Sequence, residues 1–222
     1  MKRYSGLSVK LLALVGLVLV FSAACQKEAK PTGNEGGYEK NGVWYEIFVR
    51  AFADSDGDGI GDFRGMIDKL DYLKDMDENT DHDLGIDGIW LMPIHPSPSY
   101  HGYDVTDYYS VNPEYGSMED FEEFIEKAHE RNIDVIIDLV LNHSSAQHPW
   151  FQEAISNPDS PYRDYYRIIG QEAEGYDFKK QVWGHKVWNP IGQDVYYAIF
   201  WDQMPDLNYD SEVLRTEMIK VA

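Results

Sequence analysis

The sequence is poor in basic residues and in cysteine. It has 19 Lys and Arg residues against 39 Asp and Glu residues, which gives a formal net charge of −20. A field of this sign repels phosphate backbones, and it excludes nucleic-acid binding as a function. Cys25 is the one cysteine of the chain, so no disulfide can form within it. Stability must therefore come from packing or from a bound metal ion.

Long hydrophobic runs are also missing. The most apolar run, residues 11–21, follows a basic start and leads into small residues just before Cys25. It is shorter than the roughly 20 residues of an ordinary membrane span, and this order is typical of a secretory signal peptide. A cysteine at this point resembles a bacterial lipoprotein signal, with ordinary cleavage after Ala24 as the alternative. We expect a signal peptide over 1–25, lipidation at Cys25, and a lipid-anchored protein at the bacterial surface or in the periplasm.

An alternation of strands and helices follows a polar stretch, residues 26–41, which predicts a flexible linker. Apolar runs begin near residues 43, 88 and 133, and a helical pattern separates each pair. This order favours an α/β fold with a parallel sheet, and the almost wholly apolar third run favours a strand buried on both faces. The predicted strands are Val43–Val49, Gly88–Leu91 and Ile133–Leu141; the predicted helices are Phe63–Met76 and Ser117–Arg131.

Residues 142–205 interrupt this rhythm. They are rich in Trp, Tyr, His, Pro and Gly and lack a clear alternation of helix and strand. We interpret them as a small subdomain inserted after the third strand. A further helix is predicted to begin near Ser211. Aromatic side chains in such a region serve equally well to pack a core or to stack on sugar rings.

An acidic loop over Asp54–Asp62 alternates carboxylates with small residues. Calcium takes six to eight oxygen ligands, and this spacing lets alternate Asp side chains turn toward one centre. The loop resembles the start of an EF-hand, but Gly65 stands at the twelfth position instead of Glu. We therefore predict a structural Ca²⁺ site outside the EF-hand fold, with a solvated acidic turn as the alternative. The predicted ligands are Asp54, Asp56, Asp58, Asp62 and the carbonyl of Ile60.

Three further segments point to one family. They are His101–Tyr108 (HGYDVTDY) after the second strand, Asp138–His143 (DLVLNH) at the end of the third, and Met204–Asn208 (MPDLN). Together with the acidic loop, in this order and spacing, they resemble the α-amylase family of glycoside hydrolases, family 13. The resemblance covers about residues 43–222.

The resemblance implies a (β/α)8 TIM barrel with an inserted domain B after strand three. It divides the chain into 42–141 (three β/α units), 142–205 (domain B) and 206–222 (the start of the next unit). It also implies hydrolysis of α-glucosidic bonds in starch, maltodextrin or related α-glucans by a retaining mechanism. The family's catalytic carboxylates follow strands four and five. We therefore assign no catalytic residue here and expect these 222 residues alone, as an N-terminal part, to be inactive.

The family pattern also assigns roles around the sugar. Tyr103 matches its stacking platform, His143 matches a side chain that hydrogen-bonds the same sugar, and His101 is a further contact. Asp138 and Asn142 match positions that organise the site. Asn142 also matches a calcium ligand of many α-amylases, and Asp206 of the MPDLN segment shares this ambiguity. If these roles hold, Tyr103 and His143 must face one cleft.

Three alternatives remain. A non-catalytic lipoprotein that binds oligosaccharide would share the anchor and the aromatic residues. A transglycosylase acting on α-glucosides would share the whole pattern. A calcium-dependent adhesion module would explain the acidic loop but not the segments around Tyr103 and His143.

Overall fold

Three parallel strands form the first sheet of the computed structural model, which describes residues 42–222. They are β1 (Trp44–Ile47), β2 (Gly88–Leu91) and β3 (Asp134–Ile137), in the order β1-β2-β3. In register, Glu46 lies opposite Trp90, and Trp90 lies opposite Ile136. All three predicted strands are present, but β1 and β3 are shorter than their apolar runs. The predictions for the signal peptide, the linker and Cys25 lie outside the described residues.

Helices cover one face of this sheet. They are α1 (Phe63–Asp68), α2 (Leu70–Leu73) and α3 (Met118–Glu130). The predicted single helix over 63–76 is therefore two short helices, because Lys69 leaves the helical region at φ −104° and ψ 5°. At the start of α3, Ser117 and Asp120 form the predicted capping box, each side chain accepting from the other's main-chain nitrogen. Within residues 42–222, no helix is long and apolar enough to cross a membrane.

The two faces of the sheet differ in burial because side chains alternate along each strand. On the helix side, Ile47, Ile89 and Leu91 join the core with residues of α1, α2 and α3 and are almost completely buried. On the opposite side, Glu46 and Trp90 are exposed, and Ile136 is 43% exposed. The described residues leave this side of β3 open, so the predicted burial of the third strand on both faces is not seen within them.

Close packing inside the sheet requires a glycine at the start of β2. A Cβ atom at Gly88 would lie 2.5 Å from the ring of Trp44, its partner on β1. Non-bonded carbon atoms essentially never approach this closely, so any side chain at position 88 would force the ring or the strand to move.

The inserted region carries a second sheet. It contains α4 (Pro149–Ser156) and the strands β4 (Ile168–Gly170), β5 (Gln181–Val182), β6 (His185–Lys186), β7 (Trp188–Ile191) and β8 (Asp194–Tyr197). The antiparallel order is β4-β8-β7, and β5 pairs with β6 as a separate hairpin. A last helix, α5 (Glu212–Val221), begins where it was predicted, after Ser211, and the side chain of Ser211 caps it. Short 3-10 helices lie at Val49–Ala51 and Pro161–Tyr165.

Candidate functional site

Two loops that follow neighbouring parallel strands carry the predicted sugar contacts. The loop after β2 carries His101 and Tyr103, and the segment after β3 carries Asn142 and His143. Both leave the sheet at the carboxyl ends of their strands, where active sites of α/β barrels lie. The second segment is also tied to the MPDLN motif, because His143 forms an antiparallel bridge with Asp206. The fold therefore brings all three motifs to one edge of the sheet.

A cavity of about 480 Å³ opens at this edge. Its walls combine the three predicted contact residues with an aromatic and thioether side that belongs to the inserted region. The cavity is large enough for a sugar ring and is mostly apolar, as ligand pockets are. The lining residues are His101, Tyr103, His143, Phe200, Trp201 and Met204.

Asp138 fixes the position of Tyr103. The phenol of Tyr103 donates to Oδ2 of Asp138 at 2.6 Å, and the indole nitrogen of Trp90 donates to Oδ1, also at 2.6 Å. Burial, helped by the hydrogen bond to Asp138, raises the pKa of Tyr103 to about 12. The phenol therefore stays protonated and keeps donating. Asp138 thereby links Tyr103 to Trp90 of β2.

His143 is held as a neutral imidazole. Its Nε2 lies 3.2 Å from the main-chain oxygen of Tyr103, which can only accept, so Nε2 carries the proton. Its Nδ1 lies 3.4 Å from the amide nitrogen of Asn142 and accepts from it. Burial lowers the pKa of His143 below its usual value. The side chain thus presents a fixed tautomer at the cavity wall, and Asn142 orients it.

His101 lies at the more exposed side of the cavity. Its Nδ1 accepts from the main-chain nitrogen of Tyr103 and lies within hydrogen-bond distance of the Ser99 hydroxyl, at 3.1 Å in both cases. The Ser99 hydroxyl also donates to the buried carboxylate of Asp104. This chain of hydrogen bonds shapes the loop that presents Tyr103.

Sequence reasoning missed four residues of this site: Trp90, Phe200, Trp201 and Met204. Phe200 packs edge-on against His143 with 5.3 Å between the ring centroids. The alternation of side chains along a strand could have indicated Trp90. Its register partner Ile136 lies two residues before Asp138, so Trp90 and Asp138 are on the same face of the sheet. For Phe200 and Trp201, the sequence signal was their position just before the MPDLN motif, and Met204 is the first residue of that motif.

Asp206 is half-buried beside Asn142, and no cationic side chain within residues 42–222 is in hydrogen-bond contact with it. Its Oδ1 accepts from the main-chain nitrogen of Ile199 at 2.9 Å. Burial raises the pKa of Asp206 to about 6, and hydrogen bonds from Ile199 and Asn142 partly oppose this. The two residues whose calcium role was ambiguous in the sequence are therefore direct neighbours.

The acidic loop brings three of its predicted ligands together. Carboxylate oxygens of Asp54, Asp56 and Asp58 lie within 4.8 Å of one another. Main-chain nitrogens of Gly57 and Gly59 donate to Asp54 and hold its pKa below the usual range, so it is ionised. Clustered anionic oxygens of this kind are the donors that a hard cation such as Ca²⁺ prefers.

The other two predicted ligands lie differently. Asp62 is outside the group of three: its Oδ1 accepts from Gly65 at the start of α1, and its Oδ2 accepts from the Ser55 nitrogen. Ile60 donates its main-chain nitrogen to Oδ1 of Asp58 at 2.7 Å. Asp62 thus caps α1 and ties the loop to it.

Comparisons with known proteins agree with this geometry. The family model described as "Alpha amylase, catalytic domain" matches residues 46–222. Alpha-amylase 3 of Dictyoglomus thermophilum is 53% identical over 189 residues, which are 85% of this chain and 34% of that protein. Trehalose synthase/amylase TreS of Mycobacterium tuberculosis is 41% identical over 210 residues, 90% of this chain and 32% of that protein.

A solved structure shares the fold as well. The crystal structure of alpha-amylase from H. orenii is 53% identical, with a TM-score of 0.75, over 83% of this chain and 37% of that one. The chain thus spans about a third of the length of the curated relatives named above. Its three parallel strands are the first strands of a (β/α)8 barrel, and its antiparallel strands form the insertion after strand three. The chain belongs to the alpha-amylase catalytic-domain family, family 13 of the glycoside hydrolases.

Proposed function

We propose that the protein carrying this chain hydrolyses α-glucosidic bonds in starch, maltodextrin or related α-glucans with retention of configuration. The observation that supports this most directly is the cavity in which Tyr103 and His143 meet. A glucose unit has an apolar face of C–H groups and a polar rim of hydroxyls. An aromatic ring suits the first, and a positioned imidazole suits the second.

In this proposal, each described residue has a part in holding the sugar. Tyr103 stacks on the glucose unit, and Asp138 keeps its ring in place through the phenol. The Nε2–H of His143 is shared between the main-chain oxygen of Tyr103 and a hydroxyl of the same unit. His101 contacts this unit from the open side. The retaining reaction needs a nucleophilic carboxylate and an acid about 5–5.5 Å apart. We expect these beyond barrel strand three, so the described residues bind and orient the sugar.

We further propose that Ca²⁺ binds at the acidic loop through Asp54, Asp56 and Asp58. Asp62 and the carbonyl of Ile60 are proposed as further oxygen ligands, and for Asp62 this requires its carboxylate to turn toward the ion from the position in which it caps α1. The ion would offset the repulsion among the carboxylates and brace the loop between β1 and α1. Its part is structural, because this loop supplies none of the residues that line the cavity.

The location of the protein is also a proposal. A basic start, a short apolar run and Cys25 support export and a lipid anchor at the bacterial surface or in the periplasm. Mass spectrometry of the mature protein tests this directly. A diacylglyceryl-modified Cys25 at the N-terminus is expected, and an unmodified N-terminus would overturn the anchor.

The proposed reaction is tested with the full-length protein on soluble starch and on isomaltose. Products are followed by proton NMR, which separates α- and β-anomers before they interconvert. Retention predicts that the α-anomer appears first, and an initial β-anomer would overturn the mechanism. His143→Ala should lower kcat/KM by about 100-fold if the imidazole contacts the sugar during reaction. His82→Ala, on an exposed loop, is the matched control.

Transglycosylation is the second candidate. It is supported by the similarity to TreS, which is named as both a trehalose synthase and an amylase. Rearranged disaccharides formed at high maltose concentration would favour it. Binding of maltooligosaccharides without any bond cleavage would instead favour the non-catalytic lipoprotein.

A further inference from the structure

An exposed tryptophan stands at the tip of the β5–β6 hairpin. Trp183 is 72% exposed, and its φ of +50° lies in the left-handed region. Gly184, the second residue of the turn, has a φ of +87°. Two-residue hairpin turns with positive φ at both positions strongly prefer Asn-Gly, so a tryptophan here is unfavourable for the turn itself. Such an outlier points to a use for the side chain beyond the local fold.

Trp183 continues the wall of the cavity. Its ring stacks on Phe200 with 5.5 Å between the centroids and 21° between the planes. Phe200 in turn packs against His143. His185 fixes the hairpin in this position, because its Nε2 donates to the main-chain oxygen of Ile199, the neighbour of Phe200. A row of aromatic rings therefore runs from the cavity outward along the hairpin.

The outer part of this row is open to solvent. Phe200 is 45% exposed and Trp201 is 47% exposed, so three large apolar side chains lie together at the surface. Contiguous exposed apolar groups of this kind mark binding surfaces more often than single ones do. The row is continuous with the cavity, because Phe200 belongs to both, so a sugar chain that leaves the cavity on this side would meet it.

We propose that Trp183 is a second sugar-stacking position, which binds a glucose unit outside the cavity and makes the protein prefer longer α-glucans. This inference rests on the proposed function, since it assumes that the cavity takes a glucose unit of the same chain. The indole offers a wide flat face to the C–H face of that outer unit. A disaccharide that fills the cavity is too short to use this contact in full.

The test compares substrates of different length. For Trp183→Ala in the full-length protein, kcat/KM for maltoheptaose should fall by about tenfold, because one aromatic stacking contact is lost. The value for maltose should stay within about twofold, since the cavity itself is unchanged. Trp183→Tyr keeps a ring and should recover most of the activity on maltoheptaose. Tyr72→Ala, an exposed aromatic on α2, is the control and should behave as the unchanged protein.

Two outcomes would overturn the proposal. An equal loss on both substrates with a lower Tm would make Trp183 a packing residue. An unchanged kcat/KM on both substrates would show that Trp183 does not contribute to sugar binding. If the unchanged protein cleaves neither substrate, the proposed function fails, and calorimetric titration with maltoheptaose then tests the stacking site by binding. Weaker binding by Trp183→Ala than by the unchanged protein and the Tyr72→Ala control would support the stacking site. If the unchanged protein does not bind maltoheptaose, both the stacking site and the proposed function are overturned.

Discussion

His143 donates a hydrogen bond from Nε2 to the main-chain oxygen of Tyr103, which is 40 positions earlier in the chain, at 3.2 Å. The contact joins the loop after β2 to the segment after β3. It holds the ring of Tyr103 and the imidazole of His143 at one cavity wall, as the proposed sugar contacts require. The two groups depend on each other, because a shift of either loop would break the contact.

Removing the phenol of Tyr103 tests this arrangement. Tyr103→Phe keeps the ring but deprives Asp138 of a donor at 2.6 Å. We expect kcat/KM on maltooligosaccharides to fall by about tenfold. A hydrogen bond to a charged group contributes about 1.5–3 kcal/mol, and only part of this energy serves to keep the ring of Tyr103 in place for the sugar. Tyr103→Ala should cost more, since it also removes the stacking face.

A matched control is available for this variant. Tyr109 donates its phenol to Glu217 at 2.8 Å but lines no part of the cavity. Tyr109→Phe should leave kcat/KM unchanged. If both variants lost activity equally, the hydrogen bond to Asp138 would have no special part in the site.

Much of the fold could be predicted from the sequence because local signals and packing agree there. The strand Gly88–Leu91 has its predicted bounds, and Ser117 with Asp120 marks the start of α3 through a capping box. The break at Lys69 could not be predicted. The three- and four-residue spacing of apolar side chains continues across Lys69, so the pattern predicts a single helix.

The site was predictable only in part. Tyr103 and His143 were found through motif resemblance, which carries information that single-residue patterns lack. Phe200 and Trp183 depend on how the inserted region folds back over the sheet. Their contacts are long-range, and nothing local predicts a positive φ for a tryptophan in a turn.

The contact between Gly88 and Trp44 predicts a specific loss of stability. Gly88→Ala places a Cβ atom 2.5 Å from the indole, so the ring or the strand must move. We expect a decrease of about 1–3 kcal/mol in the free energy of unfolding, measured by urea denaturation. Trp44→Leu in the same protein should recover part of it. Equal losses with and without Trp44 would show that backbone strain, rather than the ring, causes the effect.

Calcium removal should lower the Tm of the protein. An ion that binds only the folded state at 100 times its Kd stabilises it by about 2.7 kcal/mol. Addition of EGTA should therefore cause a clear downward shift, which excess Ca²⁺ reverses. The double variant Asp54→Asn with Asp58→Asn should show a much smaller response, because two of the three clustered carboxylates lose their charge.

The control for this experiment is Asp81→Asn, which changes a carboxylate on the exposed loop between α2 and β2. It should keep the full response to Ca²⁺. If the double variant also kept it, the acidic loop would not be the site. The neighbouring pair Asn142 and Asp206 would then be the oxygen donors to test next.

Stability should depend on pH through His148, which is buried at the start of α4. Burial lowers its pKa to about 4 from 6.5, although the nearby Asp107 partly opposes this. Above pH 6.5 the side chain is neutral in both states and has no effect. Between pH 6.5 and 4 the unfolded chain takes up a proton that the folded chain refuses, so stability falls as pH falls. The loss is on the order of 3 kcal/mol by pH 4.

Comparison with His148→Asn isolates this effect. The asparagine removes the titration but keeps an acceptor for the Trp150 nitrogen, which His148 Nδ1 accepts at 3.1 Å. Asp206 titrates in the opposite sense, because its raised pKa lets the folded state gain protons between about pH 6 and 4. It is present in both proteins and cancels in the difference. The free energy of unfolding of the unchanged protein should therefore fall relative to the variant as pH decreases from 6.5 to 4, and parallel curves would show that His148 titrates normally.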